Sequence, residues 1–213
     1  MKRDATLVLV RHGETEGQSS IRYYGRTDVA LSDLGRAQMR AVRDALRSRA
    51  IAAGLVFASP LSRAQESARL IADEQSRMFT IDEFVEVDFG LFEGLTGDEI
   101  RVRHPADFER WTRDRLAPHW TYPGGESRAK FAARVEDGLE RMLLTWEQAA
   151  HRADGCALVV AHRGVIRAII RRLAGVEAVI DLASINVLRC DDVWRAEILD
   201  ATDHLAQIGA PGS

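Results

Sequence analysis

Two short apolar runs in the chain are each followed directly by histidine, arginine and glycine. The run at 7–10 leads into Arg11-His12-Gly13, and the run at 158–161 leads into His162-Arg163-Gly164. A guanidinium group binds phosphate oxygens through two donors and stays charged, and imidazole attacks phosphorus or transfers a proton near neutral pH. One such histidine alone is more often structural, but two in matched positions indicate a site for phosphate chemistry.

A third cationic side chain, Arg63, falls in the first turn of a predicted helix that follows a strand. Helix N-termini favour anions through their free N–H groups and the helix dipole. Arg63 taken alone would be a solvated helix residue. Together with the two histidine–arginine pairs, it becomes a candidate ligand for the same phosphate.

Motifs for other phosphate and hydrolase chemistries are absent from the sequence. There is no GxxxxGK[ST] loop, GxGxxG turn, HExxH helix or GxSxG elbow. A metal site of two histidines with carboxylates would place the arginines beside a divalent cation, which they repel. We therefore predict no metal ligand and no cofactor.

The hydrophobic pattern predicts the elements that must position these residues. Apolar runs predict strands, and residues at helical spacing predict helices. Ser59 is predicted to be the N-cap of the second long helix, with Pro60 at its first position. Strands are expected at 6–10, 55–58, 157–161, 185–189 and 194–199, and an extended segment at 79–87. Helices are expected at 32–53, 96–103, 107–115, 127–151 and 165–173, and another starts at 60 and carries Ala64, Ala68 and Ile71 on one face.

Alternating strands and helices predict an α/β fold, a three-layer sandwich with a mostly parallel central sheet and helices on both faces. Ligands bind such sheets beyond the carboxyl ends of the strands, where both histidines are expected. We predict a single domain over 1–213, with a cap insertion at 94–125 and a frayed tail at 200–213.

Composition excludes several classes of protein. The chain has 213 residues, 46% hydrophobic, with a net charge of −3. This suits a globular domain and argues against a polyanion-binding protein, so we predict no nucleic-acid partner. Two cysteines are too few for a disulfide framework, and no segment resembles a membrane span or a signal peptide, so a cytoplasmic protein is predicted. Only two of the 29 basic residues are lysine, a bias that a skewed genome explains.

Several sequence blocks resemble the histidine phosphatase superfamily, also called the phosphoglycerate mutase-like family. Arg-His-Gly alone is weak, but the blocks occur in family order across most of 6–188. They are Arg11-His-Gly-Glu-Thr15, Tyr24-Gly-Arg-Thr-Asp28 with Leu31-Ser-Asp-Leu-Gly35, Ser59-Pro-Leu-Ser-Arg-Ala64, the run from Glu86 to Gly94, Pro123-Gly-Gly-Glu-Ser127 and Ala161-His-Arg-Gly-Val-Ile-Arg167.

The resemblance implies a role for each matched residue. His12 is expected to be the nucleophile that forms a phosphohistidine, and Glu86 the acid and base. Arg11, Arg63 and His162 are expected to bind the phosphoryl oxygens. Glu93 lies in the same block as Glu86. The simpler interpretation of Glu93 is a turn residue before Gly94, not a catalytic residue.

Substrate contacts are expected from four further residues, Gln18, Tyr24, Gly25 and Arg163. Gln18 stands where many relatives have asparagine, and Arg163 replaces a glycine. Arg163 is expected either to contact a second anionic group of the substrate or to point into solvent. Tyr24 either stacks on a substrate ring or lines the core.

The implied function is a metal-independent phosphatase that hydrolyses a small-molecule phosphomonoester. One alternative is a cofactor-dependent phosphoglycerate mutase, but the region after Glu86 lacks the long insertion and basic cluster of true mutases. The other is a non-catalytic phosphoryl-binding module, although all four core histidines and arginines are present. The spacing most resembles general bacterial phosphatases, which include α-ribazole phosphatases. The sequence leaves open whether the chain forms a homodimer.

Overall fold

Six strands form one sheet in the computed structural model, which describes residues 5–149 and 155–208. The strands are β1 (Ala5–Arg11), β2 (Leu55–Ala58), β3 (Arg77–Thr80), β4 (Cys156–Ala161), β5 (Ile185–Cys190) and β6 (Trp194–Ala201). Their order across the sheet is β3-β2-β4-β1-β5-β6. The first four strands in this order are parallel to one another, and β5 runs antiparallel to its neighbours β1 and β6, which confirms the mostly parallel sheet.

Helices cover both faces of this sheet, and two further helices lie in the region at 94–125. They are α1 (Asp33–Ser48), α2 (Ser62–Ile71), α3 (Gly97–Arg103), α4 (Pro105–Asp114), α5 (Arg128–Ala149) and α6 (Arg163–Ala174). On β1, Leu7 and Leu9 pack into the cluster that contains α5 and α6, while Val8 and Val10 pack into the cluster with α1 and α2. Successive side chains of a strand face opposite ways, so an all-apolar strand requires a cover on each side. The predicted three-layer α/β sandwich is confirmed.

Helix α1 begins where the sequence predicts but ends earlier. The Ser32 hydroxyl caps it by accepting the Gly35 N–H at 3.1 Å. The helix stops at Ser48, and Ala50 has a left-handed backbone with φ of 54°. The alanines up to Ala53 suggest a longer helix from propensity alone, but a residue in that conformation cannot continue an α-helix.

The predicted start of the second helix is wrong. Helix α2 begins at Ser62 with Leu61 as its N-cap, and no side chain caps it. Ser59 instead continues the sheet edge, because its N–H donates to the Val160 carbonyl at 3.1 Å. The Ser62 N–H and hydroxyl both donate to Asp28, which stabilises the first turn from outside the helix.

The segment at 79–87 is extended only in part. Strand β3 ends at Thr80, and Asp82–Phe84 form a 3₁₀ turn that places Phe84 in the core. The chain then passes Glu86 on its way to the region at 94–125.

Residues 94–125 form the two short helices α3 and α4 with a small aromatic core of their own. Phe92, Ile100, Trp111 and Trp120 are its buried members. Helix α3 starts with a reciprocal capping box between Thr96 and Glu99, as an isolated short helix requires.

The last described residues continue strand β6 and add a short turn. Asp200 and Ala201 complete β6, and a 3₁₀ turn at 203–205 packs Leu205 against the cluster below α1. Residues 209–213, and the predicted end of the long helix at His151, lie outside the described residues. Within the described ranges, no helix has both the length and the apolar character needed to cross a membrane.

Candidate active site

Three parallel strands end side by side and place their next residues at one edge of the sheet. Arg11 at the end of β1 lies opposite Ala161 at the end of β4. The His12 N–H donates to the Ala161 carbonyl at 3.1 Å. Ser59 follows β2 and joins the same edge. The imidazole rings of His12 and His162 meet edge to face, with their centroids 5.1 Å apart.

His12 is held as a neutral imidazole. Its Nδ1 lies 2.8 Å from the Gly13 carbonyl oxygen. A carbonyl only accepts, so the ring proton is assigned to Nδ1 and the lone pair to Nε2. Burial, together with the charges of Arg63 and Arg11, lowers the pKa of His12 well below its ordinary value. The ring therefore presents an unprotonated nitrogen at neutral pH.

His162 is oriented by Ser59. The His162 Nε2 lies 2.8 Å from the Ser59 Oγ, and the His162 Nδ1 is buried without a partner among the described residues. Ser59 Oγ already accepts the Leu61 N–H at 3.4 Å. The hydroxyl satisfies its own proton by donating to Nε2, and this places the ring proton on Nδ1. An unpartnered buried donor in a polar site is the group that a bound anion would satisfy.

Two arginines complete the cationic site. Arg63 has no exposed surface, and its guanidinium donates to the carbonyls of Gly25 at 2.7 Å and Thr27 at 2.8 Å. Arg11 donates to the Ile180 carbonyl at 2.9 Å, and burial together with Arg163 lowers its pKa to about 10. The Nε atoms of both arginines are buried and have no hydrogen-bond partner within residues 5–149 and 155–208. Arg63 is therefore not the solvated helix residue that it would be if taken alone, because the loop carbonyls hold it inside.

Glu86 is buried beside the start of α6. Its carboxylate oxygens accept the N–H groups of Val87 at 2.9 Å and Gly164 at 2.8 Å. A Cβ at position 164 would lie 2.4 Å from Glu86 Oε1, so only glycine permits this approach. The charge of Glu86 acts on both Arg11 and Arg63. The structure thus brings together all five residues expected to be catalytic.

Helix α5 holds the segment of Glu86 in place through one side chain. Arg134 donates to the carbonyls of Glu83 and Val85, each at 2.7 Å, and forms an ion pair with Glu126 at 2.7 Å. Three partners in three directions fix the guanidinium plane. The carboxyl group of Glu86 therefore depends on a contact made outside the pocket.

The four residues expected to bind substrate are placed differently from one another. Gly25 is buried and offers its carbonyl to Arg63. Tyr24 packs its ring against Gly17, where a Cβ would lie 2.5 Å from the ring. Gln18 is exposed, has a left-handed backbone with φ of 61° and makes no side-chain hydrogen bond with the described residues. Arg163 is exposed at the first position of α6.

Glu93 has a structural contact set. Its carboxylate accepts four backbone N–H groups, at distances between 2.9 and 3.3 Å, from Gly25, Arg26, Thr27 and Phe89. These bonds connect the loop that carries the carbonyl partners of Arg63 to the segment after Glu86. The turn interpretation of Glu93 agrees with this arrangement.

A pocket of about 430 Å³ opens beyond Glu86 and Gly164. Its aromatic wall was not predicted from sequence, because the rings come from separate segments: Tyr23, Phe89, Trp111, Tyr122 and Phe131. Ser59 was also missed, although its position directly after a strand was a usable signal. In the described part of the chain, no three His, Cys, Asp or Glu side chains are grouped as a metal site requires.

Comparison with known proteins finds phosphatases and phosphoglycerate mutases of similar sequence. A phosphoserine phosphatase of Hydrogenobacter thermophilus is 31% identical over 189 residues, covering 87% of this chain and 82% of the relative. A 2,3-bisphosphoglycerate-dependent phosphoglycerate mutase of Methylobacterium is 36% identical over 174 residues, covering 79% and 80%. Some mycobacterial relatives are longer, and the chain spans 43% of their length.

The fold is similar to that of solved phosphatases. The alpha-ribazole phosphatase of Shigella flexneri superposes with a TM-score of 0.76 at 25% identity, covering 92% of this chain and 96% of that one. The family model of the histidine phosphatase superfamily, branch 1, matches residues 7–197, which include both strand-end histidines and Glu86. The chain belongs to the histidine phosphatase superfamily.

Proposed function

We propose that the protein is a phosphomonoesterase that works through a phosphohistidine on His12. The observation that carries this proposal is the state of His12, a buried neutral ring with Nδ1 bonded to Gly13 and Nε2 without a hydrogen-bond partner among the described residues. An unprotonated nitrogen beside buried guanidinium groups is suited to attack a phosphoryl group. A tightly hydrogen-bonded structural histidine would have both nitrogens occupied.

In the first step, His12 Nε2 attacks phosphorus, the N–P bond forms and the P–O bond to the leaving group breaks. Arg11, Arg63 and the Nδ1–H of His162 stabilise the charge on the transferred group. Glu86 gives a proton to the leaving oxygen. These groups are already oriented by backbone carbonyls and N–H groups, so little rearrangement is needed during transfer.

In the second step, Glu86 takes a proton from water as the oxygen attacks phosphorus, and the N–P bond breaks. Inorganic phosphate and free His12 result, with Glu86 protonated again. Splitting one displacement into two lowers the barrier of each. Three cationic or donor groups supply the stabilisation that a metal supplies elsewhere, so we expect activity without a divalent cation.

Hydrolysis of p-nitrophenyl phosphate in the presence of a chelator tests this function. We expect metal-free turnover and an acid-labile phosphorylated protein after rapid quenching. His12→Asn should lower kcat by a factor of about 1,000 or more, since it removes the nucleophile. His119→Asn, at an exposed histidine outside the site, is the control. A normal rate in the His12 variant would identify a different nucleophile.

A phosphoglycerate mutase is the second candidate, because one relative with 36% identity has that activity in its name. Both reactions use the same phosphohistidine and differ in the acceptor of the phosphoryl group. Rates of hydrolysis and of 3-phosphoglycerate to 2-phosphoglycerate conversion decide between them. Faster conversion than hydrolysis would make the protein a mutase.

A further inference from the structure

The pocket beyond Glu86 has an aromatic wall whose rings support one another edge to face. Tyr23 lies 5.3 Å from Phe89 and 5.7 Å from Trp111, and Phe89 lies 5.0 Å from Tyr122, measured between centroids. Such contacts restrict ring rotation and leave flat apolar surface facing the cavity. The wall is suited to a flat or apolar part of a ligand.

Arginines on the same pocket surface fall into two groups. Arg167 and Arg171 share one carboxylate, that of Glu177, at 3.0 and 3.7 Å. Within residues 5–149 and 155–208, Arg115, Arg128 and Arg163 have no carboxylate within 4.0 Å. The pocket therefore contains positive charge that the described chain does not balance.

Two of these free guanidinium groups are positioned by neighbouring groups in the pocket wall. The Arg115 guanidinium lies over the Trp111 ring at 5.2 Å, and Arg128 donates to the Arg115 carbonyl at 3.0 Å. Each of these contacts leaves other N–H donors of the guanidinium group available to a ligand. Guanidinium groups held over aromatic rings are well suited to bind carboxylate or phosphate oxygens.

Arg163 connects this pocket to the phosphoryl site. It lines the pocket at the start of α6, and its charge acts on Arg11 and on the Tyr23 hydroxyl. Arg115 lines the same pocket, so the two cations share one cavity. Five arginines and two glutamates line this pocket, so its net charge is positive and favours a bound anion.

We propose that this pocket binds a second anionic group of the substrate, through Arg163, Arg115 and Arg128. The substrate class is a phosphomonoester whose leaving group joins a flat or apolar portion to a carboxylate or a second phosphate. This inference rests on the proposed phosphatase function for the position of the phosphoryl group. The aromatic wall holds the apolar portion, and the free guanidinium groups bind the distal anion.

Matched substrates measure the preference for a distal anion. Phenyl phosphate lacks the carboxylate that 3-carboxyphenyl phosphate and 4-carboxyphenyl phosphate carry. The phenol leaving groups of all three have similar acidity. We expect kcat/KM of the better carboxylated isomer to exceed that of phenyl phosphate about tenfold or more, the usual size of one charge-assisted contact. Equal rates on all three would overturn the inference and leave the phosphatase function intact.

Variants locate the preference in the pocket. Arg163→Gln and Arg128→Gln should each reduce the ratio of carboxylated to plain substrate about tenfold. Arg172→Gln is the control, because Arg172 lies on the same helix, pairs with Glu136 and faces away from the pocket. A ratio that survives in both pocket variants would contradict the assignment.

Binding without turnover separates the two proposals. Calorimetry compares benzylphosphonate with 4-carboxybenzylphosphonate and with the 1,4-xylylene diphosphonate, which distinguish a carboxylate from a second phosphate-like group. Tighter binding of either doubly anionic ligand that is lost in Arg163→Gln supports the pocket, even if no substrate is hydrolysed. Equal affinity for all three ligands would overturn it.

Discussion

At the scale of single residues, the tautomers of two histidines decide what the site can do. His12 offers a lone pair because its proton is held by the Gly13 carbonyl, and His162 offers a proton because Ser59 occupies its other nitrogen. The same side chain is thus a nucleophile in one place and a donor in the other. The difference arises from one backbone carbonyl and one hydroxyl group.

Removing the Ser59 hydroxyl tests this assignment. In Ser59→Ala, His162 loses the bond that holds its proton on Nδ1, and we expect kcat/KM to fall by about tenfold, the value of one buried hydrogen bond. The ¹⁵N shifts of the His162 ring should move towards the other tautomer. Ser59→Thr retains a hydroxyl and should recover most of the activity.

Ser67→Ala is the matched control for the serine, since Ser67 is buried and its hydroxyl has no partner among the described residues. It should leave the His162 shifts and the rate unchanged. Unaltered ring shifts in Ser59→Ala would show that the hydroxyl does not determine the tautomer.

At the scale of elements, the strand ends and three helices carry the site. Strands β1, β2 and β4 place His12, Ser59 and His162 on one edge, and α2 places Arg63 among loop carbonyls. Glu86 has no strand beneath it. Its segment is held by Arg134 from α5 and by the N–H of Gly164 from α6.

Arg134→Met should therefore affect catalysis from outside the pocket. The substitution keeps apolar bulk but leaves the Glu83 and Val85 carbonyls without their charged donor, at a cost of about 1–3 kcal/mol in the free energy of unfolding. We expect kcat to fall at least tenfold while the protein remains folded at 25 °C, with KM changed less. Steady-state kinetics and urea unfolding measure both effects.

Arg141→Met provides the comparison on the same helix. Arg141 pairs with the Glu83 carboxylate at 2.5 Å and is half exposed, and it does not hold the backbone near Glu86. An exposed ion pair of this kind contributes little to stability. If both variants lose the same activity, α5 acts through general stability, not through the position of Glu86.

At the scale of the whole molecule, the buried histidines make stability depend on pH. The pKa values of His12, His162 and His204 are all lowered, chiefly by burial. The unfolded chain binds protons at these histidines below about pH 6.5 while the folded chain does not. Stability is therefore complete above this pH and is lost as the pH falls.

Urea unfolding at pH 7, 6 and 5 measures this loss. Each histidine that stays neutral in the folded state should reduce the free energy of unfolding by about 1.4 kcal/mol per pH unit below pH 6.5. Carboxylates with lowered pKa, such as Asp191 and Glu177, lose their contribution only below about pH 4.5. His12→Gln should lessen the dependence of the free energy of unfolding on pH by the contribution of one histidine. An unchanged pH dependence would contradict a neutral, buried His12.

Part of this protein is determined by sequence alone. Apolar runs long enough only for strands, followed by His-Arg or Arg-His and glycine, are sufficient to place His12 and His162 at one edge of a parallel sheet. The ordered blocks then add Arg11, Arg63 and Glu86 and the family. These features depend on local hydrophobic periodicity and on short motifs, which the sequence displays directly.

Tertiary structure decided the rest. The true start of α2, the role of Ser59, the left-handed end of α1 and the contacts of Arg134 depend on groups distant in the chain. The aromatic wall and the unbalanced arginines likewise come from segments that no sequence spacing relates. Long-range packing and the satisfaction of buried polar groups select among local preferences. For this reason the sequence predicts the catalytic chemistry, but it does not predict the shape or the charge of the substrate pocket.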